Sequence, residues 1–191
     1  MNPFSVGALL LSSLISASNC HVEQEHQPLL PDKVLIGYAS HNYTNVINSV
    51  IEDGVNIVIW AFVDVRSIEP VFTIDRELTG SSTIRTNLDI DAVTSTIDQL
   101  NDNGHSHVLH LSSIGGWNGK HLDENISPTQ WYETWKSSFS GVFHGIDWDL
   151  EGNDDLTSED NVFSVECLEM MGEISQLFKE GEFVDIPVDV L

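Results

Sequence analysis

Cysteine is nearly absent from this chain: of 191 residues only Cys20 and Cys167 carry a thiol. Two cysteines cannot make the framework of a disulfide-stapled scaffold, so any stable fold must rest on a packed core. Basic residues are also scarce, 7 Lys and Arg against 30 Asp and Glu, for a formal charge of −23. A surface so short of cations lacks the basic patch that nucleic acid or an anionic membrane requires. No apolar run is long enough to span a bilayer. Neither a G-x-G-x-x-G nor a G-x-x-x-x-G-K-[ST] loop follows any strand-like segment, which argues against a nucleotide-binding sheet.

What is present is an ordinary globular composition, 41% hydrophobic and 8% aromatic, enough for one domain with a sizeable core. Residues 1–20 read as a secretory signal: a short apolar run from Val6 to Ile15 precedes the small residues Ser16, Ala17 and Ser18, and a secreted, extracellular protein is expected. Residues 21–32 read as a polar linker, and 33–191 as the folded domain. Cys167 falls inside a helical pattern and is expected to be a buried small apolar residue.

From Lys33 onward apolar runs alternate with helical patterns. Strands are expected at 33–40, 56–65, 107–111 and 142–151, and helices at 46–53, from Asp89 or Asp91 to Gly104, from Ser127-Pro128 to about 140, and at about 162–179. Residues 69–87 read as a long polar connection. The tail 182–191 could begin a fifth strand, interrupted by Pro187. Near-continuous apolar strands separated by helices mean a parallel sheet with helices packed outside. Polar and special residues gather at the carboxyl ends of all four strands, as in a parallel barrel. The fold expected is therefore α/β, a partial TIM (β/α)8 barrel of about the first four βα units. Each unit takes about 37 residues, so eight would need roughly 300, within the size range of complete barrels. Four units alone are expected to leave unpaired edges and an uncovered apolar face.

The fourth strand carries the chemistry. Strand side chains alternate faces, so Asp147, Asp149 and Glu151 point one way, and Ile146, Trp148 and Leu150 the other. Three stacked carboxylates cannot all ionise near neutrality, and a protonated Glu at the open end suits general acid catalysis of glycosidic cleavage. Two other readings of the trio stand beside this one, a hard-cation site and a solvated edge strand. His105, His107 and His110 cluster near the third strand, but His107 and His110 have opposite parity and would not share an ion; no metal and no cofactor is expected.

The run Gly145-Ile146-Asp147-Trp148-Asp149-Leu150-Glu151 resembles the DGxDxDxE signature of glycoside hydrolase family 18, the chitinases and their relatives. Ser113-Ile114-Gly115-Gly116 resembles that family's SxGG signature, one strand earlier and about 30 residues away. The resemblance implies hydrolysis of β-1,4 N-acetylglucosamine polymers by substrate-assisted, retaining acid/base catalysis. It implies that Glu151 is the acid/base, that Asp149 orients the N-acetyl group and supports the oxazolinium intermediate, and that Asp147 tunes Asp149. It further implies that Tyr38 and Ser113 hydrogen-bond Asp147 and that Phe62 and Trp117 are aromatic platforms. Strand parity would put Tyr38 inward with Ile36 and Val34, and Phe62 inward with Trp60. The chain departs from the signature at His144, where the family has its first Asp. The family's sixth-strand Tyr and eighth-strand Trp have no counterpart in these 191 residues, so an incomplete catalytic domain, weak or inactive alone, is expected. A non-catalytic, chitin-binding relative and an inert fragment are the other readings that the resemblance leaves.

Overall fold

The computed structural model describes residues 30–41, 44–68, 81–181 and 183–186, with backbone only for 184–186. The segment read as a signal, Cys20 with it, and most of the linker lie outside them.

Six strands form one sheet: β1 (Ile36–Ala39), β2 (Ile57–Ser67), β3 (Ser82–Thr86), β4 (Leu109–Gly116), β5 (Gly145–Leu150) and β6 (Val184–Ile186). The order is β1-β2-β4-β5-β6, every pair parallel, with β3 antiparallel to β2 off the main path. Four helices connect them: α1 (Thr44–Glu52), α2 (Ile90–Leu100), α3 (Pro128–Phe139) and α4 (Val165–Glu180). This is a parallel half-barrel with outer helices, the arrangement expected.

Local chemistry sets the helix starts. The Asp89 carboxylate accepts from the Ala92 amide at 3.1 Å, and Ser127 Oγ accepts from the Gln130 amide at 3.2 Å with Pro128 in the first turn. Ser164 caps α4 in the same way, accepting from the Cys167 amide at 2.9 Å, so this helix begins three residues later than the apolar pattern suggests. Each cap satisfies an amide that the helix itself leaves open. Gly104, at φ 91°, ends a π turn that continues α2.

The main core lies between sheet and helices. Trp60, Trp131, Trp135, Ile146, Ile174 and Phe178 are fully buried there, and Cys167 is buried with them. Trp148 turns outward as its parity requires, donating from Nε1 to Ser175 Oγ at 3.0 Å and lying 5.9 Å from the Trp131 ring.

Several expectations need correction. The polar connection 69–87 contains β3, whose short sequence Ser-Thr-Ile-Arg-Thr reads as loop because it is a half-exposed edge partner of β2. β4 starts later than expected and takes the Ser113–Gly116 motif into the strand, leaving His107 in the turn before it. Trp60 does not point inward: it packs in the outer core with Ile47 and Ile97. Phe62 differs from it in facing because a register shift intervenes. Ala61 pairs with Ser113 and Val63 with Ile114, so Phe62 is an extra residue opposite β4. The inner apolar face is not bare either. Ile57, Ile59, Leu109 and Leu111 are 0–6% exposed and form a second cluster with Ile36. Parallel register sets these side chains beside one another, Ile36 by Ile57, Ile57 by Leu109, Ile59 by Leu111. The tail does form a fifth parallel strand, β6, beside β5; Pro187 lies outside the described residues.

Apolar surface is open at the β1 edge. Val34 and Leu35 are exposed just before the strand, and Tyr38, Val46 and Val50 are exposed along an apolar groove between β1 and α1.

On the outer face of β4, His110 is buried between Trp60 and His144. Trp60 Nε1–H donates to His110 Nδ1 at 3.2 Å, and the His110 amide donates to His144 Nδ1 at 3.0 Å. Burial, aided by His144, pushes the His110 imidazole down to about 3, and burial also holds His144 below its ordinary value. A histidine depressed in the folded state stabilises the fold above its unfolded value, and that stability is lost as pH falls from about 6.5 toward about 3. Unfolding free energies of wild type and His110→Gln are therefore expected to differ in slope over this window. The difference should approach one proton, about 1.4 kcal/mol per pH unit. Chemical denaturation at a series of pH values reads it, and parallel profiles would refute it.

Candidate active site

β5 brings two of the three acids to the inner face. Asp147 is 1% exposed and sits opposite Ser113 of β4 in the parallel register. Its Oδ2 accepts from Ser113 Oγ at 2.8 Å and from the Tyr38 hydroxyl at 3.1 Å. Three strands, β1, β4 and β5, thus converge on one carboxylate oxygen. Asp149 follows at the next inward position, half-buried, and Glu151 is the first residue beyond the strand. The acids therefore climb from the interior to the carboxyl end of the sheet.

Their electrostatics follow this climb. Burial pushes the Asp147 carboxyl up; the bonds from Ser113 and Tyr38 pull it back, and the charge of Asp149 pushes it up again. Burial raises Asp149 as well, against a side-chain hydrogen bond with Glu151. The Tyr38 phenol is held far above its ordinary value, first by burial and then by Asp147, with Asp149 and Glu151 adding to it. All three carboxylates thus act on one hydroxyl, which stays a neutral donor.

The glycine pair at the end of β4 makes this packing possible. Gly115 (φ 113°) and Gly116 (φ 89°) both take backbone conformations that side chains avoid. A Cβ on Gly115 would stand 2.5 Å from the Asp149 carbonyl oxygen, and one on Gly116 2.5 Å from the Phe62 ring. Phe62 therefore lies against Gly116, half-buried at the mouth. Gly116→Ala is expected to cost about 2–4 kcal/mol, from backbone strain plus displacement of that ring. Urea unfolding measures this, and a loss under 1 kcal/mol would mean the ring yields freely. Trp117 follows the pair in a turn and is 55% exposed.

The structure thus joins Tyr38, Ser113 and Asp147 by hydrogen bonds, sets Asp149 and Glu151 above them, and packs Phe62 on Gly116. His105, His107 and His110 are not brought together. The first two lie before β4 with rings 6.1 Å apart, and His110 is in the outer core. Among the described residues no group of three His, Cys, Asp or Glu side chains has the arrangement of a metal site, and no helix is long and apolar enough to cross a membrane.

Sequence reasoning missed the loop after β4. The Asn118 amide donates to the Gly152 carbonyl at 3.1 Å, and Asn118 Oδ1 accepts from the Asp154 amide at 3.3 Å. His121 Nε2 lies 3.2 Å from the Glu151 carbonyl oxygen, its ring stacked on Phe163 at 4.4 Å. The one available signal was Asn118 itself, since Asn is among the few side chains that accept positive φ, here 62°.

A parallel sheet with outer helices and polar groups at its carboxyl end defines half of a (β/α)8 barrel. No protein-family model matches the chain, and no curated protein matches it in sequence. Among solved structures it is similar to the crystal structure of the Ostrinia furnacalis Group IV chitinase, at a TM-score of 0.52 and 13% identity. The match covers 81% of this chain and 43% of that one, so the chain spans less than half the length of the chitinase. At this identity the likeness establishes a chitinase-like fold.

Proposed function

We propose that this chain carries the acid site of a family 18-type glycoside hydrolase, on the first half of its catalytic barrel, and acts on N-acetylglucosamine polysaccharides outside the cell. One observation supports the reading above all others. A buried carboxylate, Asp147, is held by the hydroxyls of Tyr38 and Ser113 directly beneath Asp149 and Glu151. A buried carboxylate is costly unless hydrogen-bonded, and here it serves to set the charge of its neighbour.

In this proposal Glu151 protonates the glycosidic oxygen as the sugar's own acetamido oxygen attacks the anomeric carbon. The bond to the leaving group breaks and a cyclic oxazolinium forms. Asp149 supports its positive charge, and Asp147 tunes Asp149 from below. Glu151, now a carboxylate, takes a proton from the water that opens the ring, so the anomeric configuration is retained. No cofactor and no metal is required. Tyr38, Phe62 and Trp117 offer aromatic surface to the sugar rings, and Gly115 and Gly116 let the strands close around the acids. The described strands form one side of the mouth, so turnover by this chain is expected to be slow.

The exposure of Tyr38 (48%) and Trp117 (55%) favours a second reading, carbohydrate binding without turnover. Calorimetric titration with N-acetylglucosamine oligomers, with chromatography of the same samples, separates the two. Products absent in Glu151→Gln support the hydrolase; binding without products supports the lectin-like role; neither result defeats both.

A further inference from the structure

We propose that Asn118 and His121, on the loop after β4, clamp the segment that carries Glu151 and so act as positioning residues for the acid. This inference rests on the glycosidase reading only for what the acid does; the clamp itself rests on contacts.

β5 ends at Leu150, so Glu151 has no sheet ladder to hold it. Its backbone is held by the loop that leaves the neighbouring strand, β4. The Asn118 amide donates to the Gly152 carbonyl, and the Asn118 side chain accepts from the Asp154 amide, so one residue grips the segment from two sides. The Glu151 carbonyl oxygen can only accept, so the neighbouring His121 Nε2, 3.2 Å away, must carry a proton. That fixes the tautomer if the ring is neutral, and the bond survives if the ring is charged. The ring cannot swing away easily, because it stacks on Phe163 with an interplanar angle of 7°. Phe163 belongs to the loop after β5, so the stack ties the same two loops a second time.

The clamping loop is itself anchored to the motif strand. The Gly119 amide donates to the Gly116 carbonyl at 2.8 Å, and a Cβ at Gly119 would stand 2.5 Å from the Gly115 carbonyl oxygen. Two glycines at the end of β4 and a third in the loop therefore let the chain fold back on itself. The geometry of β4 is transmitted through Asn118 and His121 to Glu151. The strand that sets Asp147 through Ser113 also sets the acid two inward positions further on.

The test is side-chain order at Glu151, read from 13C relaxation at its Cγ in the full chain, with backbone 15N order for 151–154. In His121→Phe the stack on Phe163 is kept and the donor lost. Asn118→Gly keeps the positive φ and the amide but loses the side-chain acceptor. Both are expected to lower order from about 0.85 to below about 0.6 at 151–154 alone, with melting temperature nearly unchanged. His121→Gln, whose Nε2 lies the same number of bonds from the backbone, should restore part of the order, since it regains the donor without the stack; a purely space-filling role would not be rescued this way. Unchanged order in both His121→Phe and Asn118→Gly overturns the clamp. Either variant remains informative if the other fails to fold. If order falls as expected but wild type neither binds nor cleaves N-acetylglucosamine oligomers, the clamp stands and the glycosidase reading fails. If Glu151-dependent hydrolysis is found with order unchanged, the reverse holds.

Discussion

Glu151→Gln is expected to lower the release of a fluorophore from an N-acetylglucosamine oligomer glycoside by about 10²–10⁴-fold, the usual worth of a positioned acid. The amide keeps the shape of the side chain but cannot give up a proton to the leaving oxygen. Because Glu151 lies beyond the strand end and is absent from both apolar clusters, the fold should not register the change. Melting temperatures of the two proteins should therefore coincide. A variant as active as wild type would remove Glu151 from the chemistry. One that lost activity only by unfolding would say nothing for catalysis and would contradict the position described for this residue.

The largest stability effect is expected at Trp135→Ala. This side chain is fully buried on α3, edge-on to Phe178 at 4.6 Å and Phe183 at 5.3 Å, and its Nε1–H donates to Ser112 Oγ at 2.9 Å. Truncation leaves a cavity that the neighbouring rings fill only in part, at a cost of about 3–5 kcal/mol by equilibrium unfolding. Ser112 adjoins Ser113, so the loss should also loosen the hydroxyl on Asp147. A cost below about 1.5 kcal/mol would show that α3 can collapse onto the sheet without it.

Much of this was legible in the chain because the signals were local. Apolar runs gave the parallel strands, Asp89 and Ser127-Pro128 announced their helices, and two-residue alternation separated Asp147 and Asp149 from Ile146 and Trp148. The misreadings have specific causes. β2 is buried along both faces up to Ala61, so no alternation exists to reveal which way Trp60 points. The extra residue at Phe62 then reverses the parity beyond it. β3 has too few apolar residues to stand out, and its pairing depends on β2 being already in place. The contacts of Asn118 and His121 join segments 30 or more residues apart, and nothing in either segment names its partner.

The place of each strand in the sheet sets how the site would come apart. Among the described residues β4 has a neighbour on both sides, whereas β1 is joined to β2 alone. Of the two strands that donate to Asp147, β1 should open the more readily, so the phenol of Tyr38 leaves first while the hydroxyl of Ser113 stays. For those moments the innermost acid keeps a single donor while water reaches it, so the lost hydrogen bond and the relieved burial pull its proton affinity in opposite directions. The readiness of the acids would then breathe with this edge strand.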